Sequence, residues 1–251
     1  MRLCSILNVW ADTLNLLDKC IENHLQFSHG VIVVWSSSSN HMRYSDKMLE
    51  FVTKRKSDPR VIFHQCEPVA ALMPMENEIK KRNIGLSVAK DWKFTHFILA
   101  DGDEFYLAHE VNQVKPLFDD INGTYCGLRV YVKTPTLWCE DRTKVAFIHR
   151  LKPETKAGMF KDYPGAYDKN GNAQIDPTRR INETSRVVEV PVTMHHFSYV
   201  RTDMELKIKN SSANLRRSTD NIRKEMENAA PGWVSLLYHK PLKHSDNIFN
   251  L

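Results

Sequence analysis

The chain of 251 residues predicts an α/β fold, and three observations carry that expectation. Residues 3–9, 31–35 and 94–100 are apolar runs of strand length, as strands covered on both faces require. Between them lie stretches with apolar residues at helical spacing, the first being Leu14, Leu17, Cys20, Ile21 and Leu25. Strand, helix and strand in that order make a βαβ unit with a parallel sheet. From Gly127 the pattern changes to alternation through Leu128, Val130 and Val132, a strand with one wet face.

The elements follow in order. Asp12 or Thr13 caps a helix over 13–27, which His29-Gly30 ends. The strand 31–35 closes on four serines and Asn40, a loop. A helix over 45–54 turns Met48, Leu49 and Val52 inward, and Asp58-Pro59-Arg60 leads into a strand at 61–64. A polar, methionine-rich loop, 65–75, precedes a helix over 76–90 that packs through Ile79, Ile84, Leu86 and Val88. It delivers the chain into the strand 94–100. In the second half, strands are expected at 127–134, 145–148 and 187–194, with a long aperiodic loop at 163–182. A helix over 203–228, with Leu206, Leu215, Ile222 and Met226 inward, stops at Pro231-Gly232 before a basic, irregular tail. One domain over 1–202 is expected, divided into a nucleotide-binding half (1–110) and an acceptor-binding half (111–202), with a helical and basic extension, 203–251, packed on it.

Composition narrows the class. An apolar fraction of 42% suits a globular core, and no apolar run approaches the ~20 residues of a membrane span. The start does not read as a signal peptide, so a soluble, cytoplasmic protein is expected. Cys4, Cys20, Cys66, Cys126 and Cys139 are scattered, with no pair at metal-ligand spacing, and read as reduced buried thiols. The net charge of +5 permits an anionic partner without demanding one.

The candidate chemistry centres on Asp101-Gly102-Asp103-Glu104-Phe105, where a buried strand leaves the core. Two carboxylates one residue apart chelate a hard divalent cation, and the glycine between them permits a tight turn. Mg²⁺ or Mn²⁺ held this way keeps positions open for phosphate oxygens. Asn8, Ser36 to Asn40 and Asp101 to Glu104 all fall at strand ends, where open α/β sheets bind ligands.

Arg82-Asn83-Ile84-Gly85-Leu86 followed by Asp101-Gly102-Asp103 resembles the GT-A nucleotide-sugar glycosyltransferases, especially family 2, which shows an Arg-Asn-x-Gly-Leu helix and then a strand ending in Asp-x-Asp. The resemblance covers about residues 1–110 and thins to isolated features beyond, mainly 194–201. It implies a Rossmann-like mixed central sheet flanked by helices, and a nucleoside diphosphate sugar, expected to be a UDP-sugar, bound with Mn²⁺ or Mg²⁺. By the same resemblance, Asn8 and Asp12 line the nucleoside pocket, Ser36 to Asn40 close its second side, and Arg82 and Asn83 face the nucleotide. Asp101, with Gly102 beside it, sits near the ribose and metal, and Asp103 binds the metal.

Glycosyl transfer builds negative charge on the departing diphosphate, which a metal stabilises. His195 and His196 are candidates for a third ligand. Alternation puts His196 with Val190, Val192 and Met194 and favours His195 for the cleft, whereas the resemblance to a His-aromatic-Ser-aromatic run favours His196. Glu140 and Asp141 resemble the family 2 pair that supplies a general base, with Asp176 and Glu183 in reserve. Arg201, Lys207 and Lys209 could neutralise diphosphate, and Trp138 and the aromatics of 163–167 could stack on a sugar or base. The acceptor is a glycan, a lipid-linked glycan, a protein, or hydroxymethylated pyrimidine in DNA, for which the basic residues of 207–224 and 240–243 suit phosphate contacts. Two other classes are a nucleotidyltransferase, for which 7–14 lacks the Gly-rich basic loop, and a non-catalytic nucleotide-sugar-binding module, against which Asp101 and Asp103 stand.

Overall fold

Apolar runs flanked by helices can hide both faces only by pairing side by side, and they do so here as parallel strands. A computed structural model describes residues 1–55, 58–172, 174–201, 204, 207 and 219–251. Strands β1 (Leu3–Val9), β2 (Gly30–Trp35), β3 (Val61–Gln65) and β4 (His96–Asp101) are parallel, with β1 between β2 and β4. Helices α1 (Leu14–Leu25) and α2 (Lys47–Arg55) cover one face, where Leu7, Val31, Val33 and Ile98 meet Leu17, Ile21 and Met48. Helix α3 (Pro74–Asp91) covers the other, where Ile6, Ile32, Val34, Phe97 and Leu99 meet Leu86 and Ala89. Gly85 lets α3 come this close: a Cβ there would lie 2.3 Å from Ile6 Cγ2.

The second half continues the same sheet with mixed polarity. After β5 (Glu104–Phe105) and α4 (Ala108–Val114) come three long strands, β6 (Gly123–Val132), β7 (Leu137–Arg150) and β8 (Val187–Tyr199). β7 runs antiparallel to β4 and to β6, β8 runs parallel to β6, and β5 closes the edge antiparallel to β8. The order is β3-β2-β1-β4-β7-β6-β8-β5, so β4 and β5 are nearly consecutive in the chain but have three strands between them in the sheet. Only a strongly curled sheet allows this, and register shifts in β6 against both neighbours supply the added twist. Helix α5 (Thr219–Asn228) and the short β9 (Lys243–His244), which pairs with β7, follow β8 in the chain. Among the described residues no helix is long and apolar enough to cross a membrane.

The α/β class with a mixed central sheet is therefore as expected, while several local details differ. Gly30 does not cap α1; it opens β2, where a Cβ would sit 2.9 Å from the Phe94 ring. Thr13 precedes α1, but its hydroxyl donates to the Trp10 carbonyl (2.9 Å) and caps nothing. Leu49 is 51% exposed. Strands β7 and β8 outrun the apolar segments that announced them, because polar residues continue the pairing along the wall of a cleft. Leu206 and Leu215 lie outside the described residues, while Ile222 is buried.

Two predictions follow from this packing. Gly85→Ala gains an intrinsic helix preference of ~1 kcal/mol but overpacks the α3–sheet contact, and a net loss of roughly 1–2 kcal/mol is expected in urea denaturation. The second concerns pH. Burial lowers His24 and His149 to about 4, His96 to about 4 and His195 to about 3, so the folded chain keeps them neutral. The unfolded chain protonates them near 6.5, so it binds more protons and stability falls as pH drops from about 6.5 toward 4, by ~1.4 kcal/mol per pH unit for each group. Glu78, which burial and then the Asp176 charge hold up at about 7, and Glu104, which burial also raises, have the opposite sign and offset part of this loss. A lower urea midpoint at pH 5 than at pH 7 is expected; equal midpoints would contradict neutral burial.

Candidate active site

At the C-terminal ends of β1, β2 and β4, facing β6 to β8, lies a cleft of about 420 Å³. Its centre is the turn between β4 and β5. Main-chain geometry there is set mostly by α1. The Cys20 thiol donates to the Glu104 carbonyl (3.3 Å), as does His24 Nε2 (3.0 Å), and the Asn23 amide brackets Tyr106, donating to its carbonyl and accepting from its N–H (both 2.9 Å). His24 Nδ1 faces the Ser5 hydroxyl at 2.8 Å, which fixes the ring. Gly102 is buried against β1 and the turn that precedes α1, and a Cβ on it would sit 2.9 Å from both Thr13 Oγ1 and Val9 Cγ1. From the far side, the Phe197 N–H donates to the Asp103 carbonyl (2.9 Å).

Charge in the turn is balanced by arginines from distant segments. Arg179, in a 3-10 turn (Pro177–Arg179), donates to both Glu104 carboxylate oxygens and to Asp101 Oδ2 (2.6 Å). Glu104 also accepts from the Asp101 N–H (3.0 Å). Arg82 Nη2 lies 3.4 Å from Asp101 Oδ1. Arg201 pairs with Asp103 through Nη2 and with Asp12 through Nη1 (3.5 Å), and its Nε donates to the Ser198 carbonyl (2.9 Å). Burial pushes the Asp103 carboxyl up, but Arg201, His196 and Lys207 outweigh it and hold the group well below the usual carboxylate range. Burial also opposes ionisation of Asp101, where Arg179 and Arg82 prevail and lower it. For Glu104, fully buried, desolvation wins over Arg179 and the carboxyl is raised.

One cation site is discernible among the described residues: ligand atoms of Asp103, Glu104 and His196 all lie within 4.8 Å of one another. His196 Nε2 stands 3.5 Å from Asp103 Oδ2. Arg179 and the Asp101 N–H occupy both oxygens of Glu104, whereas Arg201 takes Oδ2 of Asp103, so the donors open to a cation are Asp103 Oδ1 and the His196 imidazole. A hard oxygen with an imidazole nitrogen suits Mn²⁺, and a site with few protein ligands suits Mn²⁺ or Mg²⁺ shared with phosphate. The residues therefore fit the metal the resemblance implies.

Asn8, Asp12, Ser36, Asn40, Arg82, Asp101, Asp103, Asp141 and His196 all line the cleft. Among the described residues the Asn8 amide has no partner for either its nitrogen or its oxygen, and Arg82, only 2% exposed, has none for Nε and Nη1. Buried polar atoms of this kind are rare unless a ligand or water meets them. Lys81, lowered by burial to about 8, ties strand ends together by donating to the Val9 carbonyl (2.6 Å) and the Ser36 hydroxyl (2.9 Å).

Other expected residues are elsewhere. His195 is fully buried on the opposite face of β8, its Nδ1 2.8 Å from the Tyr131 hydroxyl, so it is no cleft ligand; the apolar face that carries Met194 and His196 itself lines the cleft. Asn83 turns away from the nucleotide side, exchanging hydrogen bonds with the Ala157 main chain (both 2.9 Å). Glu140 is exposed beside Lys243 (3.5 Å), since its neighbour Asp141 takes the cleft side of β7. Gly102 contributes close packing rather than a ligand contact. Glu183 pairs with Lys152. Trp138 lies under Arg129 (4.2 Å) and Lys243 (5.0 Å), and Tyr163 is buried on His149. Lys207 and Asp176 line the cleft, while Lys209, Arg216 and Arg217 lie outside the described residues. Arg179, Glu78 and Lys81 were not anticipated. Glu78, Lys81 and Arg82 share a helix face at i, i+3 and i+4, a signal the sequence held; Arg179, inside an aperiodic loop, left none.

Neither a family model nor a curated protein sequence matches the chain. Among solved structures, it is similar to Staphylococcus aureus TarS residues 1–349, with 13% identity, TM-score 0.45, 91% of this chain and 71% of that one covered. It is also similar to TarS 1–349 in complex with UDP-GlcNAc, at 16% identity and TM-score 0.36, covering 52% of this chain and 35% of that one. The mannosyltransferase PcManGT from Pyrobaculum calidifontis, in complex with GDP-Man and Mn²⁺, matches at 19% identity and TM-score 0.37, with 53% and 36% covered. In the latter two, the match thus spans about a third of the relative's length.

Arg179→Met leaves Asp101 and Glu104 without their principal counter-charge, and a destabilisation of roughly 3–5 kcal/mol is expected in urea denaturation. Lys144→Ala removes an ion pair to the half-exposed Glu189 and is expected to change stability by less than ~1 kcal/mol. Equal effects would mean that Arg179 holds no buried charge.

Proposed function

We propose that this protein is a metal-dependent glycosyltransferase that moves a sugar from a nucleoside diphosphate sugar to an acceptor hydroxyl. The observation that carries the reading is the convergence, in one cleft, of the Asp103–His196 donor pair with unpaired Arg82 and Asn8 groups. Asp103 and His196 would hold Mn²⁺ or Mg²⁺, with Asp101 beside them. A bound divalent ion supplies charge stabilisation to a departing diphosphate. Lys207 adds positive charge in the same cleft, and a nucleobase can pair with both halves of the Asn8 amide. The nucleoside is assigned as uridine on the resemblance alone.

On the acceptor side, Asp141 is the candidate general base. It lines the cleft from β7, and Oδ1 accepts the Thr143 N–H (2.9 Å), which leaves Oδ2 for an acceptor hydroxyl proton. Lys144 and Tyr199 share that wall.

The test is a thermal-shift panel of nucleoside diphosphates with and without Mn²⁺, because a ligand that binds only the folded chain raises its midpoint. A nucleotide shift that needs Mn²⁺ is expected in the wild type and is expected to vanish in Asp103→Asn. Transfer by that variant should fall roughly a hundredfold, about 2.7 kcal/mol of barrier. Unchanged transfer would remove the metal role.

A further inference from the structure

Beside the metal donors, and not sharing their atoms, lies a second polar corner. Helix α3 contributes Glu78 and Arg82, one turn apart on the same face. The 3-10 turn packed against α3 contributes Arg179, and Asp176 immediately precedes it. Asp101 joins the two, 3.4 Å from Arg82 Nη2 and 2.6 Å from Arg179 Nη2. Asp176 Oδ2 lies 3.6 Å from Arg179 Nε, and its Oδ1 accepts from the Thr178 N–H and hydroxyl (2.8 and 2.9 Å). Glu78 has one long contact, Asn40 Nδ2 at 3.5 Å. All of these side chains line the cleft.

Two features define what this corner can take. Acids and guanidiniums alternate along it (Glu78, Arg82, Asp101, Arg179, Asp176), and the three carboxylates outnumber the two arginines. With each guanidinium flanked by carboxylates, a phosphate finds no unbalanced positive charge there. A hydroxyl meets both partners it needs, because it donates to a carboxylate and accepts from a guanidinium. The second feature is Arg82 itself. It is only 2% exposed, yet Nε and Nη1 have no acceptor among the described residues. Those N–H groups call for neutral or anionic acceptor oxygens brought by a ligand, and the carboxylates around them select the neutral kind.

We propose that Glu78, Asp176 and the flanking Arg82 and Arg179 form a diol-recognition corner that takes a vicinal pair of hydroxyls of the nucleotide sugar, an inference that rests on the nucleotide-sugar reading above. One hydroxyl donates to Glu78 and accepts from Arg82; its neighbour donates to Asp176 and accepts from Arg179. Glu78 and Asp176 are thereby specificity residues for the donor and take no part in holding the metal. The diol has two sources, the ribose and the transferred sugar, and the experiment separates them.

Glu78→Gln and Asp176→Asn keep shape, and the asparagine keeps the Oδ1 acceptor for Thr178. Calorimetric Kd values are taken with Mn²⁺ for uridine diphosphate, 2′,3′-dideoxyuridine diphosphate and UDP-glucose, or for the guanosine series if that is the nucleoside bound. Unchanged thermal midpoints of the free variants show that they fold. With ribose as the source, the wild type loses about tenfold or more on passing from the ribo to the dideoxy ligand, and the variants lose that discrimination. With the transferred sugar as the source, ribo and dideoxy forms bind alike in all proteins, and the tenfold advantage of UDP-glucose over UDP disappears in the variants. If the variants shift all three ligands equally, or none, the diol corner is wrong while the nucleotide reading survives. If neither uridine nor guanosine diphosphate binds the folded wild type, both fall together.

Discussion

Three carboxylates, Asp101, Asp103 and Glu104, are forced into one buried turn, and the second half of the fold answers that constraint. Like charges brought together away from water are costly unless each meets a counter-charge and hydrogen bonds. No cation lies near enough in sequence to serve. Arg82 arrives from the helix that precedes β4, Arg179 from a loop more than seventy residues on, and Arg201 from the end of β8. The curl of the sheet makes those meetings possible. Because β5 must pair with β8 while β4 stays beside β1, the strands between them wrap around until the end of β8 lies against the turn.

Labour in the turn is divided between neutral and charged partners. Cys20, Asn23 and His24 hold main-chain groups, and burial keeps His24 uncharged, so α1 adds no charge of its own to a crowded site. The arginines hold side chains. Long cationic side chains fixed at their carboxylate ends are rigid, and that rigidity is what a site needs if it is to meet developing charge without reorganising. Lys81 does for the ends of β1 and β2 what Arg179 does for the acid turn, and the same helix carries Glu78 and Arg82 into the cleft. The close approach allowed by Gly85 thus reaches the site through one rigid element.

Much of this was legible in the sequence, for physical reasons that also mark where legibility ends. Strands 3–9 and 31–35 were readable because burial on both faces leaves no alternative composition. The acid turn was readable because adjacent carboxylates at a strand end have few structural uses. Asn83 was misread: helical spacing fixes which residues share a face but not what lies opposite, and here the Ala157 main chain does. His195 and His196 were ambiguous because alternation separates two faces without saying which one opens on a cleft. Glu140 and Asp141 divide in the same way along β7, one to solvent and one inward. Arg179 was illegible because its partners are set by the loop in which it lies. That loop is organised by the neighbouring Arg180, buried and donating to the carbonyls of Ile175, Ala166 and Phe160, a role no periodicity announces.

The three acids of the turn end up chemically distinct although they are nearly contiguous. Glu104 is sealed, with Arg179 on both oxygens and the Asp101 N–H on one of them, and its raised proton affinity reflects desolvation rather than reactivity. Asp101 faces the cleft between two guanidiniums. Asp103, the most strongly ionised in character, sits with His196 and Arg201. A strand pairing makes the difference: β5 places Glu104 opposite His196 in the main chain, so their neighbours alternate and Asp103 meets the imidazole from the cleft side. A one-residue slip of β5 on β8 would bring His195, already committed to Tyr131, into that register and leave Asp103 without its nitrogen partner. The metal-binding capacity of the turn is thus written in the register of a two-residue strand, and the long β6–β8 pairing that fixes β8 is what protects it.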